Sequence, residues 1–308
     1  NIQQKKEVDK MKTKILILLV IISLFITACG TEETTTAANS PFMGGTQGVT
    51  AIFEPFGVEE DGLFSIFDTE TFPIEVTVVN KGEHNLESGD IVVKLLGPSE
   101  EEFSGIESYE LQNLDTIEKI STLVPTGGEE TISFTSDAHY EADVSTFIDR
   151  EWFADIEYTY QTYLIIPEVC LKEDLKDDRV CDVEGTKTFF VSGAPITVNT
   201  VSETTAGKGI MALTIKVSNV GGGDVTKPGE EFGVQERLTY SIDDSNWECK
   251  QAGKVNEARL INGETNIVCK LKTALAENVL ATKQVKITFD YTYRDLISEK
   301  LRIKESAK

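Results

Sequence analysis

The stretch "CLKEDLKDDRVCD" combines two residue types that can do chemistry, cysteine and aspartate. Its carboxylates could bind Ca²⁺ through hard oxygen ligands. However, the spacing does not match the Asp-x-Asp-x-Asp-Gly calcium loop, and two Lys and one Arg interrupt the acids. A solvated hairpin tip closed by a disulfide is therefore the favoured interpretation. The weak calcium candidates are Asp174, Asp177, Asp178 and Asp182.

A second kind of chemistry is predicted at Cys29, which follows the apolar run "ILILLVIISLFI" and the small residues Thr27 and Ala28. With Met11 as the expected start, Lys12 and Lys14 precede this run, as in an export signal. The run is shorter than the roughly 20 residues of a spanning helix. A plain signal peptide and an uncleaved anchor helix are the alternatives to a lipid-attachment signal, and all three place the remaining chain outside the cytoplasm.

The stretch "ITAC" resembles the lipobox of lipoprotein signal peptides, in which an aliphatic residue and two small residues precede a cysteine. That resemblance implies that Cys29 receives a diacylglyceryl group and becomes the N-terminus of a membrane-anchored protein. Residues 1–28 then comprise upstream residues and the signal peptide. Residues 29–46 hold few bulky apolar groups and are predicted to form a flexible tether.

The other four cysteines are even in number, which in an exported chain predicts two disulfides. Three pairings exist. Pairing Cys170 with Cys181 and Cys249 with Cys269 is favoured, because each pair lies within one segment flanked by strand-like sequence. A zinc site is disfavoured, because it would need tighter CxxC spacing or histidine partners. The two histidines, His84 and His139, lie in separate polar stretches and are predicted to be solvated loop residues.

The chain is strongly acidic, with 52 Asp and Glu against 29 Lys and Arg and a net charge of -23. Such a surface repels phosphate backbones, so no nucleic-acid partner is expected. A soluble, self-repelling surface is the favoured interpretation. Cation binding, adaptation to salt and docking to a basic partner are the alternatives.

An internal repeat organises the chain. "IEVTVVNKG" matches "LTIKVSNVG", "LVPTGGEETISF" matches "LINGETNIVCK", and "DIEYTYQTYLI" matches "TFDYTYRDLIS". The matches occur in the same order at a separation of about 135 residues, which indicates a tandem duplication. In the first match, Asn and Gly are predicted to take the positive φ angles of a turn. The repeat predicts domain one at residues 47–192 and domain two at residues 193–308.

Each predicted domain is a series of short alternating strands separated by turn residues, and only "TALAENVLA" (273–281) is a candidate for one or two turns of helix. This pattern predicts an all-β protein with two tandem antiparallel β-sandwiches of immunoglobulin-like type after an N-terminal signal helix. The recurring Tyr-Thr-Tyr places Tyr158 and Tyr160, and likewise Tyr291 and Tyr293, on one face of a strand. A structural aromatic row is favoured over a sugar-binding platform because the pair recurs in both repeats.

The strand ending in Asn-x-Gly, then "DIVVKLLG", "LVPTGGEETISF" and a long strand running past an Asp resemble the CARDB group of immunoglobulin-like domains. Such domains occur in surface proteins of bacteria and archaea. Residues 41–308 are also similar to surface-anchored proteins of archaea. The resemblance implies no catalytic residues.

We therefore expect a non-catalytic cell-surface lipoprotein that acts as a spacer, adhesion or assembly module. Its expected partners are the membrane, through the lipid at Cys29, and a protein or an envelope glycan, with no cofactor. No GxSxG, HExxH or phosphate-binding glycine loop occurs, and "NVGGGDV" is predicted to be a turn. The alternative function is an extracytoplasmic ligand-binding component for sugar or calcium.

Overall fold

The computed structural model describes residues 40–176 and 179–307. The predicted signal helix, Cys29, most of the predicted tether, Asp177 and Asp178 lie outside these residues. The strands are β1 Val49–Phe53, β2 Val58–Glu60, β3 Leu63–Phe67, β4 Thr71–Asn80, β5 Ile91–Leu95, β6 Phe103–Ser104, β7 Glu110–Gln112, β8 Glu129–Tyr140, β9 Phe147–Lys172, β10 Gly185–Thr186, β11 Phe190–Val191, β12 Ile196–Gly207, β13 Ile210–Asn219, β14 Asp224–Thr226, β15 Arg237–Ile242, β16 Trp247–Gln251, β17 Lys254–Val255, β18 Glu257–Arg259, β19 Glu264–Leu271 and β20 Leu280–Lys304.

The fold is all-β, as predicted, and the only helical element of the described residues is a 3₁₀ turn at Glu100–Glu102. The prediction of one or two turns of helix at 273–281 is wrong, because this stretch forms a turn that leads into β20. Within the described part of the chain, no helix has the length and apolar character needed to cross a membrane.

The strands form three sheets that share one compact unit, Pro41–Lys308. The first small sheet has the order β1-β4-β8-β6, and the second has the order β10-β12-β13-β19-β16-β17. The large central sheet runs β18-β15-β20-β9-β5-β7. In addition, β11 pairs with β9, β3 and β14 pair with β20, and β2 pairs with β3. All pairings are antiparallel except that of β3 with β20.

The central sheet is continuous between the two repeats, because β9 of the first repeat pairs with β20 of the second along nearly their whole lengths. The register places Tyr160 opposite Tyr291 and Tyr158 opposite Tyr293. Thr159 and Thr292 form the pair between them. Since these Tyr-Thr-Tyr segments are equivalent in the repeat, the two halves are related by a local two-fold axis through the threonine pair.

All four tyrosines lie on one face of the central sheet and are at most 1% exposed, so the structure confirms their structural role. The hydroxyl of Tyr160 donates to Oδ1 of Asn80 at 2.9 Å, and that of Tyr293 donates to Oδ1 of Asn219 at 3.0 Å. Tyr158 and Tyr291 have hydrogen bonds to the backbone at the start of β1 and of β12, at Val49 and Ile196. Both small sheets therefore pack on the tyrosine face of the central sheet.

The Asn-x-Gly segments fold differently from the prediction. Neither their asparagines, Asn80 and Asn219, nor their glycines, Gly82 and Gly221, have positive φ angles. A Cβ on either glycine would instead collide with the hydroxyl of Tyr160 or Tyr293. The glycines are thus required by the close approach of a buried tyrosine, and each asparagine Oδ1 also accepts the N–H of its glycine.

The cysteines pair as favoured from the sequence. Cys170 at the end of β9 is bonded to Cys181. Cys249 of β16 is bonded to Cys269 of β19, directly across the second small sheet. Two disulfides indicate that the chain folds in an oxidising, extracytoplasmic environment.

The segment that enters the fold is held by the buried carboxylate of Glu83. This carboxylate accepts hydrogen bonds from the N–H groups of Met43, Gly44 and Gly193 at 2.7 to 2.9 Å. Glu83 therefore fixes both the chain before β1 and the connection between the two repeats.

We expect Tyr293→Phe to lower the free energy of unfolding by about 1–2 kcal/mol. The substitution removes a hydroxyl that donates to Asn219 and accepts from the N–H of Gly223. Denaturant unfolding of the full chain measures the change. Tyr109→Phe is the matched control, because its half-buried hydroxyl has no hydrogen-bond partner among the described residues. An equal loss in both variants would contradict the role assigned to Tyr293.

Candidate functional site

A surface cavity of about 400 Å³ lies where the two repeats meet on the central sheet, and we call it the junction cavity. The first repeat contributes the end of β5 and the middle of β9. The second contributes the loop after β13, the start of β14 and part of β20. The lining residues are Leu96, Asp155, Gly222, Gly223, Asp224, Arg294, Asp295 and Leu296.

Arg294 is the one cation in this lining. Its Nη2 donates to Oδ2 of Asp224 at 2.9 Å, whereas its Nη1 lies 3.9 Å from Oδ2 of Asp155. The ring of Phe232 lies 4.3 Å from the guanidinium carbon and holds it by a cation–π contact. Arg294 is therefore committed mainly to Asp224, and the lining retains an excess of negative charge.

Asp155 is the least satisfied polar group of the junction cavity. It is 9% exposed, and within the described part of the chain its Oδ1 has no hydrogen-bond partner. Burial raises the pKa of this carboxyl above its ordinary value, although Arg294 acts in the opposite direction. Burial also raises the pKa of Asp295, with a contribution from the charge of Asp224. Both carboxylates are thus poorly compensated as anions.

The mouth of the cavity is apolar. Leu96 is 54% exposed and Leu296 is 60% exposed, and neither is covered by another part of the described chain. An acidic interior with apolar flanks suits a ligand that carries a cationic head on an aliphatic stem.

In the first repeat, the region that corresponds to the junction cavity is filled by side chains. The backbone contacts of Asn80 with His84 and of Asn219 with Gly223 align His84 with Gly223. Glu83 correspondingly aligns with Gly222, and Tyr163 aligns with Leu296 along β9 and β20. The two glycines and the shorter leucine leave the space that Glu83, His84 and Tyr163 occupy in the first repeat.

His84 lies in a loop, as predicted, but it is half-buried and hydrogen-bonded, so the prediction that it is solvated is wrong. The Tyr163 hydroxyl donates to Oε1 of Gln161 at 2.7 Å, so the Nδ1–H of His84 donates to Tyr163 at 2.8 Å. Gln161 in turn donates to Asp290 at 2.6 Å. Burial lowers the pKa of His84. His139 lies in β8 rather than in a loop, 3.4 Å from the carbonyl oxygen of Glu70.

The calcium candidates do not converge where they are described. The Asp174 carboxylate accepts the N–H of Lys176 in an exposed turn, and the backbone oxygen of Asp182 accepts a hydrogen bond from Lys187. Over residues 40–176 and 179–307, no group of three or more His, Cys, Asp or Glu could hold a metal ion.

Comparison with models of protein families, with curated proteins and with solved structures found no match to this chain.

The sequence alone does not predict the junction cavity, because "NVGGGDV" predicts only a turn. A signal was present, since the second repeat has glycines where the first has Glu83 and His84. Asp155 gave no signal among so many carboxylates, because its burial depends on strands that are distant in sequence.

We expect Asp155→Asn to raise the melting temperature at pH 7 by about 2 °C. The folded pKa of Asp155 is raised above its unfolded value, so at pH 7 its charge destabilises the fold. This penalty disappears as the pH falls through the raised pKa towards the unfolded value, so the two melting temperatures should converge by about pH 3. Scanning calorimetry from pH 3 to pH 7 tests this.

The matched control is Asp143→Asn, which makes the same charge change at an exposed position. A variant of Asp155 that is less stable than the parent at pH 7 would contradict the assignment of an uncompensated carboxylate.

Proposed function

We propose that the chain is a non-catalytic, membrane-anchored lipoprotein of the cell surface that binds partner proteins as an adhesion or assembly module. In this proposal its two repeats are tandem immunoglobulin-like sandwiches of the CARDB type, fused through a shared sheet. The lipid on Cys29 attaches the fold to the membrane.

The observation that carries the binding role is the junction cavity. It contains a buried carboxylate, Asp155, whose pKa is raised by burial and whose Oδ1 has no hydrogen-bond partner among the described residues. Groups that cost stability concentrate at functional sites, because selection keeps them for a role other than folding. A site that holds an unsatisfied buried acceptor beside exposed apolar side chains supports recognition of a partner.

The non-catalytic role is supported by what the reactive side chains already do. Four cysteines are used in disulfides. His84 is bonded to Tyr163, and the buried tyrosines are bonded to asparagines and backbone groups of the small sheets. These contacts stabilise the fold, and they support a structural role for the side chains rather than a role in proton or acyl transfer.

The surface location is supported by the two disulfides together with the lipobox-like "ITAC". Two acyl chains on one residue would give firm membrane attachment. A lipid at Cys29 also explains why this cysteine has no place in the pairing of the other four.

We expect Cys29→Ser to move the protein from the membrane fraction to the soluble fraction, measured by fractionation and immunoblotting of cells expressing the full chain. Thr27→Ser is the matched control, because it keeps a small residue in the lipobox and should leave the protein on the membrane. Retention of the Cys29→Ser variant on the membrane would refute the lipid anchor.

The partner class is tested separately by cross-linking on intact cells, followed by affinity purification and mass spectrometry. The proposal expects cross-links from the junction cavity to a second protein. Recovery of an envelope glycan without any cross-linked protein would instead favour the sugar-binding alternative.

A further inference from the structure

The two repeats differ at one strand edge. In the first repeat, β11 pairs antiparallel with β9, with Phe190 opposite Ile165 and Val191 opposite Leu164. The N–H of Ser192 continues this pairing by donating to the carbonyl oxygen of Tyr163 at 2.9 Å. One edge of the long strand is thus completed by a short strand of the same chain.

The equivalent edge in the second repeat lies at residues 296–300 of β20. On this side, β14 pairs only as far as Arg294 and β3 begins to pair at Leu301. Between these two pairings, no strand of the described chain pairs with this side of β20, whose opposite side is paired with β9. The open edge begins at Leu296, which is also a lining residue of the junction cavity.

We propose that this edge and the junction cavity together bind an extended strand of a partner protein, with an arginine or lysine of that strand placed in the cavity. This inference rests on the proposed binding role and names the partner's chemistry. Main-chain hydrogen bonds to β20 supply affinity, and the cavity selects the side chain.

The pairing of β11 with β9 provides the register. By equivalence, the partner residues that match Val191 and Phe190 lie opposite Ile297 and Ser298. The residue that matches Ser192 lies beside Leu296, on the face of the sheet that carries Asp155. It is separated from Asp155 by about two strand spacings, or roughly 9.6 Å, which an arginine and an aspartate side chain together span.

The chemistry of the cavity favours a cation on an aliphatic stem. Asp155 Oδ1 has no hydrogen-bond partner among the described residues, and Asp155 pairs with Leu296, so that their side chains share one face of the sheet. Leu96 and Leu296 are positioned to contact the methylene groups of the incoming side chain. The chain's net charge of -23 also attracts a basic segment.

The probe is a synthetic peptide of residues 187–193 with the substitution Ser192→Arg, acetylated and amidated at its ends. Its matched control carries citrulline in place of the arginine, which keeps the shape and removes the charge. A second control is N-methylated at the amides that would pair with β20. Binding to the full chain in detergent is measured by calorimetry, and the amide NMR signals of residues 296–300 report the location.

We expect the arginine peptide to bind at least about tenfold more tightly than the citrulline peptide, and the N-methylated peptide not to bind. Asp155→Asn should abolish the preference for arginine while leaving the fold at least as stable, whereas Asp143→Asn should keep it. The amide signals of residues 296–300 should shift only with peptides that can pair.

Equal binding of the arginine and citrulline peptides, or unshifted signals at residues 296–300, would overturn the inference. So would competition for the same signals by millimolar Ca²⁺, or occupation of this edge by a second copy of the chain, seen as a dimer in sedimentation. These results are independent of the lipid anchor and of cross-linking on cells, so failure here is distinguishable from failure of the proposed function.

Discussion

The pairing of β9 with β20 is the interaction on which the rest of the structure depends. It joins the repeats into one sheet and places four tyrosines side by side on the same face. A buried hydroxyl without a partner is costly, so each tyrosine must find one in a small sheet. The bonds of Tyr160 to Asn80 and of Tyr293 to Asn219 meet this requirement. The same hydroxyls therefore satisfy the core and attach both small sheets to the central one.

The local two-fold symmetry explains where the molecule can differ between its halves. The asparagines that bond the tyrosines, Asn80 and Asn219, are equivalent in both repeats, because a change there leaves buried polar groups unpaired. The loop that follows the Asn-x-Gly segment tolerates different residues in the two repeats. In the first repeat Glu83 and His84 fill this place and fix neighbouring segments, whereas Gly222 and Gly223 leave it open in the second. The cavity and the open strand edge thus arise at the same break in symmetry.

Much of the fold could be predicted from local pattern. Alternating β-branched residues gave the strands, and the repeated Tyr-Thr-Tyr indicated a structural row. Proximity in sequence indicated which cysteines pair. Two of the errors share one cause, because the local sequence alone predicts one or two turns of helix at 273–281 and a solvated side chain at His84. In both places the conformation depends on tertiary structure. Residues 273–281 lead into β20, and the His84 ring is hydrogen-bonded to Tyr163.

The sequence by itself determined the all-β class, the internal repeat and the acidic surface, because each follows from residue type and local spacing. It favoured one of three cysteine pairings, which the structure confirms. It also carries the prediction of a lipid at Cys29. Only the tertiary structure decided that the repeats share a sheet and that their glycines make room for tyrosine hydroxyls. It also decided that Asp155 is buried with no partner for its Oδ1 among the described residues. These features depend on the register between strands that lie far apart in the chain, and local sequence does not encode that register in a readable form.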